Sequence, residues 1–97
     1  MCGFIFYLSR KKIDIKIKKQ LKKTTKLIKH RGPDYNESFN NDKIFAHHCR
    51  LSIQDLKVRS KQPFFSKDKR YMLLFNGEIY NFKILRKKLI KKYNFIT

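Results

Sequence analysis

An α+β domain is the class this chain predicts, and its patterning gives the reasons. Short runs of β-branched and aromatic residues are set apart by turn signals, two lysine-rich segments carry apolar residues at helical spacing, and strands follow one another without regular alternation with helices. The first run, residues 3–9 (GFIFYLS), is apolar and aromatic and reads as a buried strand. Residues 10–29 hold ten cations and one acid, yet Ile13, Ile17, Leu21 and Ile28 recur at helical spacing with Leu27 alongside. That pattern predicts an amphipathic helix with a solvated lysine face. Residues 30–38, HRGPDYNES, gather Gly-Pro, Asp and Asn and are expected to form a loop. Residues 43–48 and 50–56 read as two extended pieces, the second with Leu51 and Ile53 inward and Ser52 and Gln54 outward. After the break at Gln62 and Pro63, residues 71–75 are another strand, running into Asn76-Gly77. Residues 82–93 place Phe82, Leu85, Leu89 and Tyr93 on one side of a second helix with a lysine-rich back, and residues 95–97 begin a further strand that is cut off.

A chain of 97 residues is one domain at most, with five Tyr and nine Phe to build its core, so disorder is a poor description. The net charge of +18 suggests a polyanionic partner when taken alone. However, 19 of the 25 cations are Lys, and the chain is also rich in Ile, Asn and Phe, whose codons are rich in A and T. A biased genome accounts for that mixture, so nucleic acid is not the expected partner, and a small basic nucleic-acid-binding protein is kept as the alternative. Cys2 and Cys49 do not make a disulfide framework, and no apolar run approaches the ~20 residues of a membrane span. The N-terminus lacks the order of a signal peptide, and a reducing cytoplasm is expected.

Chemistry enters at Cys2. Removal of Met1 would make it the N-terminal residue, and an α-amine, with a reference pKa of about 7.7–8.0, would then be a base beside the nucleophile on one residue. Asn76-Gly77 has two readings. As a type I′ hairpin turn it needs positive φ at both residues, whereas an Asn amide beside a Gly N–H also supplies two donors for a developing oxyanion. His30, His47, His48 and Cys49 could be imagined around a metal, but adjacent residues of a strand point to opposite faces, and no metal site is expected.

Five motifs occur in one order over the whole chain: MCGF at residues 1–4, HRGPD at 30–34, RLSIQDL at 50–56, QPF at 62–64 and NGEIYN at 76–81. Together they resemble the N-terminal glutaminase domain of glutamine-hydrolysing asparagine synthetases, class II glutamine amidotransferases with an N-terminal nucleophile fold. The HRGPD and RLSIQDL pair separates this branch from the sibling amidotransferases, and Cys2 separates it from β-lactam synthetases. The resemblance implies a four-layer αββα sandwich, of which residues 1–97 are the N-terminal portion. It implies that Cys2 attacks the glutamine side-chain amide, that Asn76 and Gly77 form the oxyanion hole, and that Arg50 pairs with the substrate α-carboxylate. Glu78 would help to hold the amino group, and Ile53 would contribute its backbone carbonyl. Arg31 to Asp34 are read as shaping the site more than as catalytic. The implied partners are glutamine and a synthetase domain in the same or a continuing chain; no cofactor is expected in residues 1–97, with ATP and magnesium confined to the synthetase domain. A Ser-Asp pair and a Glu that follow soon after this point in the family are missing, so a truncated, inactive fragment is a further expectation.

Overall fold

In the computed structural model, which describes residues 2–53 and 56–95, the first apolar run is strand β1, Gly3–Leu8. Its side chains alternate as a strand requires, and this corrects the expectation of a buried strand: Gly3, Ile5 and Tyr7 turn to one face, buried or half-buried, while Phe4, Phe6 and Leu8 on the other are exposed. Ile13 does not belong to the following helix. It is buried, at 4% exposure, and its N–H donates to the Asp42 carbonyl at 2.6 Å. Helix α1, Ile15–Thr24, starts later than the hydrophobic pattern because Asp14 caps it, Oδ1 accepting from Lys16 N at 2.7 Å. Lys22 and Lys23 in its last turn suit the helix dipole. The chain then tightens into 3₁₀ turns over Thr25–Arg31. The hydroxyls of Thr24 and Thr25 bond back to the Gln20 and Lys22 carbonyls at this junction.

Strands β2 (Tyr35–Asn40) and β3 (Ile44–Arg50) complete an antiparallel sheet in the order β1-β3-β2. Gly3 stands opposite Cys49 and Leu8 opposite Ile44, while Tyr35 faces Arg50 and Asn40 faces Phe45. β2 corrects the expectation of a loop through residue 38. It is an edge strand on which Tyr35 and Phe39 are half-buried and Asn36, Glu37 and Ser38 are exposed, so too few apolar residues mark its period. β3 is the central strand, buried from Phe45 through Arg50. Burial on both faces suppresses the alternation that would have revealed one continuous strand. Of the described residues of the second extended piece, 50–56, only Arg50 lies in a strand, as the end of β3. Ile53 points outward, at 67% exposure, and Gln54 and Asp55 lie outside the described residues.

A hairpin of β4 (Phe64–Phe65) and β5 (Met72–Leu73) forms a second sheet. Its turn is built by Ser66, whose N–H donates to the Tyr71 carbonyl at 3.0 Å and whose Oγ accepts from Tyr71 N at 3.0 Å, with Lys69 at φ 57°. β5 is shorter than the predicted strand 71–75, because at Phe75 the backbone is bonded by the side chain of Gln62 in place of a strand neighbour's main chain. Helix α2, Phe82–Leu89, stops short of Tyr93, and none of its residues is buried. The predicted strand at 95–97 is not seen at Phe95, and Ile96 and Thr97 lie outside the described residues.

These elements stack in layers, a mixed α+β arrangement. On one face of the large sheet, Gly3 lies under the Arg31 side chain of the 3₁₀ stretch. On the other, Phe39 meets Phe65 of the hairpin edge-on, with ring centroids 5.0 Å apart. The buried apolar residues Ile13, Phe45, Ala46 and Cys49 gather around β3.

Candidate active site

One cleft, about 370 Å³ in volume, is lined by Cys2, Arg50, Ile53, Asn76, Gly77 and Glu78, together with Leu51, Ser60, Gln62, Phe64 and Phe75. All six residues singled out from the sequence therefore meet, although they come from the start of β1, the end of β3 and the segment after β5. The strand register explains the first junction. Gly3 opposite Cys49 sets Cys2 beside the end of β3, where Leu51 N donates to Cys2 Sγ at 3.3 Å and Sγ lies 3.6 Å from the Leu51 carbonyl. Met1, whose removal would free the α-amine, lies outside the described residues.

The HRGPD loop fixes this corner. Arg31 Nε donates to the Cys2 carbonyl at 3.2 Å, Asp34 N donates to the Arg50 carbonyl at 3.1 Å, and Asp34 Oδ2 accepts from Ser52 N at 2.6 Å. Gly32 has no room for a side chain, since a Cβ there would come within 2.3 Å of the Cys49 backbone. Arg50, at 7% exposure, donates from Nη1 to the Lys57 carbonyl at 3.1 Å, and its guanidinium lies 6.0 Å from the centroid of the Tyr35 ring. Such a fixed, planar fork is suited to a carboxylate.

Asn76-Gly77 is not a type I′ turn, because no glycine has positive φ and Lys69 is the one other residue that does among those described. Gly77 is constrained by its neighbour instead: a Cβ would stand 2.8 Å from the Phe75 ring. The hairpin reading is thereby excluded, and the segment presents Asn76 and Gly77 to the cleft.

The histidines divide as strand geometry requires. His47 and Cys49 share a face, with Cys49 Sγ 3.3 Å from His47 Nε2 and Ser38 Oγ 2.7 Å from His47 Nδ1. Burial lowers the His47 pKa from its ordinary value, with Glu37 opposing. His48, on the other face, is lowered first by burial, then by the His47 and Arg50 charges, with the Phe75 backbone pulling the other way. Burial, and secondarily the proximity of Cys2, pushes the Cys49 thiol up, which favours its protonated form.

Ser60, Gln62, Phe82 and Arg86 also line the cleft, and sequence reasoning gave none of them a role. Phe82 and Arg86 are an i, i+4 pair at the start of α2, a spacing that could have placed them together.

A cysteine at the head of a strand, facing an arginine fork and an Asn-Gly pair across a small cleft, is a constellation for amide chemistry. The chain belongs to the glutamine amidotransferase domain family, which it matches over residues 1–97. It is similar to asparagine synthetase B (glutamine-hydrolyzing) of Escherichia coli, 33% identical over 97 residues that make up 100% of this chain and 17% of that protein. It is also similar to asparagine synthetase (glutamine-hydrolyzing) 1 of Bacillus subtilis, 35% identical over 100 residues, covering 100% of this chain and 16% of the relative. The corresponding protein of Arabidopsis thaliana is 33% identical, with the same 16% of its length covered.

Proposed function

We propose that this chain carries the glutamine-hydrolysing half-reaction of an asparagine synthetase-like enzyme. The observation that supports this most is the convergence of Cys2, Arg50, Ile53, Asn76, Gly77 and Glu78 on one cleft of a size suited to a small polar molecule. In this reading Arg50 pairs with the glutamine α-carboxylate, while Glu78 and the Ile53 carbonyl receive the α-ammonium. Cys2 Sγ attacks the side-chain amide carbon, and its proton passes to the α-amine left by loss of Met1. The Asn76 amide and the Gly77 N–H take the oxyanion. The C–N bond breaks as the amine returns the proton, ammonia leaves, and a glutamyl thioester remains on Cys2. Water then cleaves the C–S bond, giving glutamate and the free thiol.

The layering of helix, sheet and hairpin supports a finer fold, the start of the αββα sandwich of N-terminal nucleophile hydrolases. The ammonia would pass to aspartate activated with ATP and magnesium in a synthetase domain outside residues 1–97, in the cytoplasm. No helix among the described residues is long and apolar enough to cross a membrane.

Cys2→Ala in the full-length protein tests the reading. Ammonia release from glutamine should disappear while synthesis from added ammonia persists. Glutamine hydrolysis unaffected by the substitution would refute it.

A further inference from the structure

Asn76 and Gly77 can serve an oxyanion only if the backbone leading into them is held still, and the ladder that should hold it stops at β5. The hairpin pairs Phe64 with Leu73 and Phe65 with Met72. Continued, that register sets residue 62 opposite residue 75. Alternation makes this a hydrogen-bonded pair like that of Ser66 and Tyr71, where Ser66 N donates to the Tyr71 carbonyl at 3.0 Å. A side chain takes over from the main chain at that step. Gln62 Nε2 donates to the Phe75 carbonyl at 3.0 Å, and Gln62 Oε1 accepts from Phe75 N at 2.6 Å. Both backbone groups of Phe75 are therefore satisfied by one planar amide, which reproduces the two bonds of a β-bridge and fixes the peptide that enters Asn76. Gln62 also lines the same cleft as Cys2 and Asn76.

We propose that Gln62 is a positioning residue for glutamine hydrolysis, clamping Phe75 so that Asn76 and Gly77 meet the oxyanion. The inference rests on the glutaminase reading above. An amide suits this position because it stays uncharged and carries a donor and an acceptor side by side on one carbon. Displacing oxyanion donors weakens the transition state more than the bound substrate, so the effect belongs in turnover.

The test uses the full-length protein. Gln62→Ala should lower kcat for ammonia release by about 10- to 100-fold with little change in KM, the scale of a displaced catalytic group. In an Asn76→Ala background the same substitution should cost almost nothing, since the group it positions is gone. Gln62→Glu should resemble Gln62→Ala at pH 8, where a carboxylate opposes the Phe75 carbonyl. Its kcat relative to the unsubstituted protein should recover as pH falls, because a protonated carboxyl again offers a donor and an acceptor. His48 of β3, on which the Phe75 backbone acts, faces this segment, as do Arg50, Glu78, Arg86 and Cys2 of the cleft; the Gln62→Ala profile against pH carries their share, so recovery counts only where Gln62→Glu gains on Gln62→Ala as well. Unchanged kcat for Gln62→Ala, a change confined to KM, a full penalty retained beside Asn76→Ala, or loss of folding in both variants would each overturn the proposal. An unsubstituted protein that releases no ammonia would instead overturn the glutaminase reading, and this inference with it.

Discussion

On the proposed reading each residue around the cleft has a separable duty, and kinetics should separate them. Asn76→Ala removes one donor to the oxyanion and should lower turnover by roughly 10² to 10³, with a smaller effect on KM. Arg50→Lys should act mainly on KM, because a point charge cannot replace a buried bidentate fork. Steady-state ammonia release by both variants checks the division, and equal losses of turnover would contradict it. These residues were legible in the sequence because each is a particular chemical type inside a short motif. Gln62 was visible in QPF but its two bonds to Phe75 were not, since they exist only once residues 62 and 75 are brought together by the fold. Ile53 and Glu78 were named through the family resemblance, Ile53 for a backbone carbonyl that leaves no side-chain signature, and their meeting in the cleft with Cys2 is a product of the fold.

β3 and the HRGPD loop carry most of what the elements contribute. Gly32 crosses so close to the Cys49 and Arg50 backbone that Gly32→Ala must push the loop off the strand. A cost of about 3 kcal/mol, the upper end of overpacking, is expected in urea unfolding of the full-length protein. β3 also makes stability pH-dependent. His47 and His48 have folded pKa values below the ordinary 6.5, so the unfolded chain binds more protons near that pH. Their contribution is fully present above about pH 6.5 and is lost as pH falls through the unfolded value toward the folded ones. Melting temperature should therefore drop on acidification below that point, and His48→Gln should flatten the slope. Of the elements, β1 was legible as an unbroken apolar run, and both helices through their spacing. β2 was not, because three exposed polar residues hide its two apolar ones, and the end of α1 depends on capping and threonine back-bonding more than on hydrophobic period.

At the scale of the whole molecule, the described residues bury little beyond the surroundings of β3. Phe4, Phe6, Leu73 and the length of α2 present apolar surface, while the net charge of +18 is spread along the chain, with eight of its lysines in the two helices. The chain spans 16–17% of the length of the first relatives it matches, so the site is best probed in full-length protein. The α+β class was readable from patterning, whereas the division into a three-stranded sheet and a separate hairpin depends on where β5 ends and was not. Both the site and the fold meet at one atom, the sulfur of Cys2. Peptide mapping by mass spectrometry of the full-length protein, acid-quenched during glutamine turnover, tests that claim most directly. An N-terminal peptide that begins at Cys2, lacks Met1 and carries a glutamyl group is expected, with Cys49 unmodified. Active protein that retains Met1, or a glutamyl group found on Cys49, would contradict it.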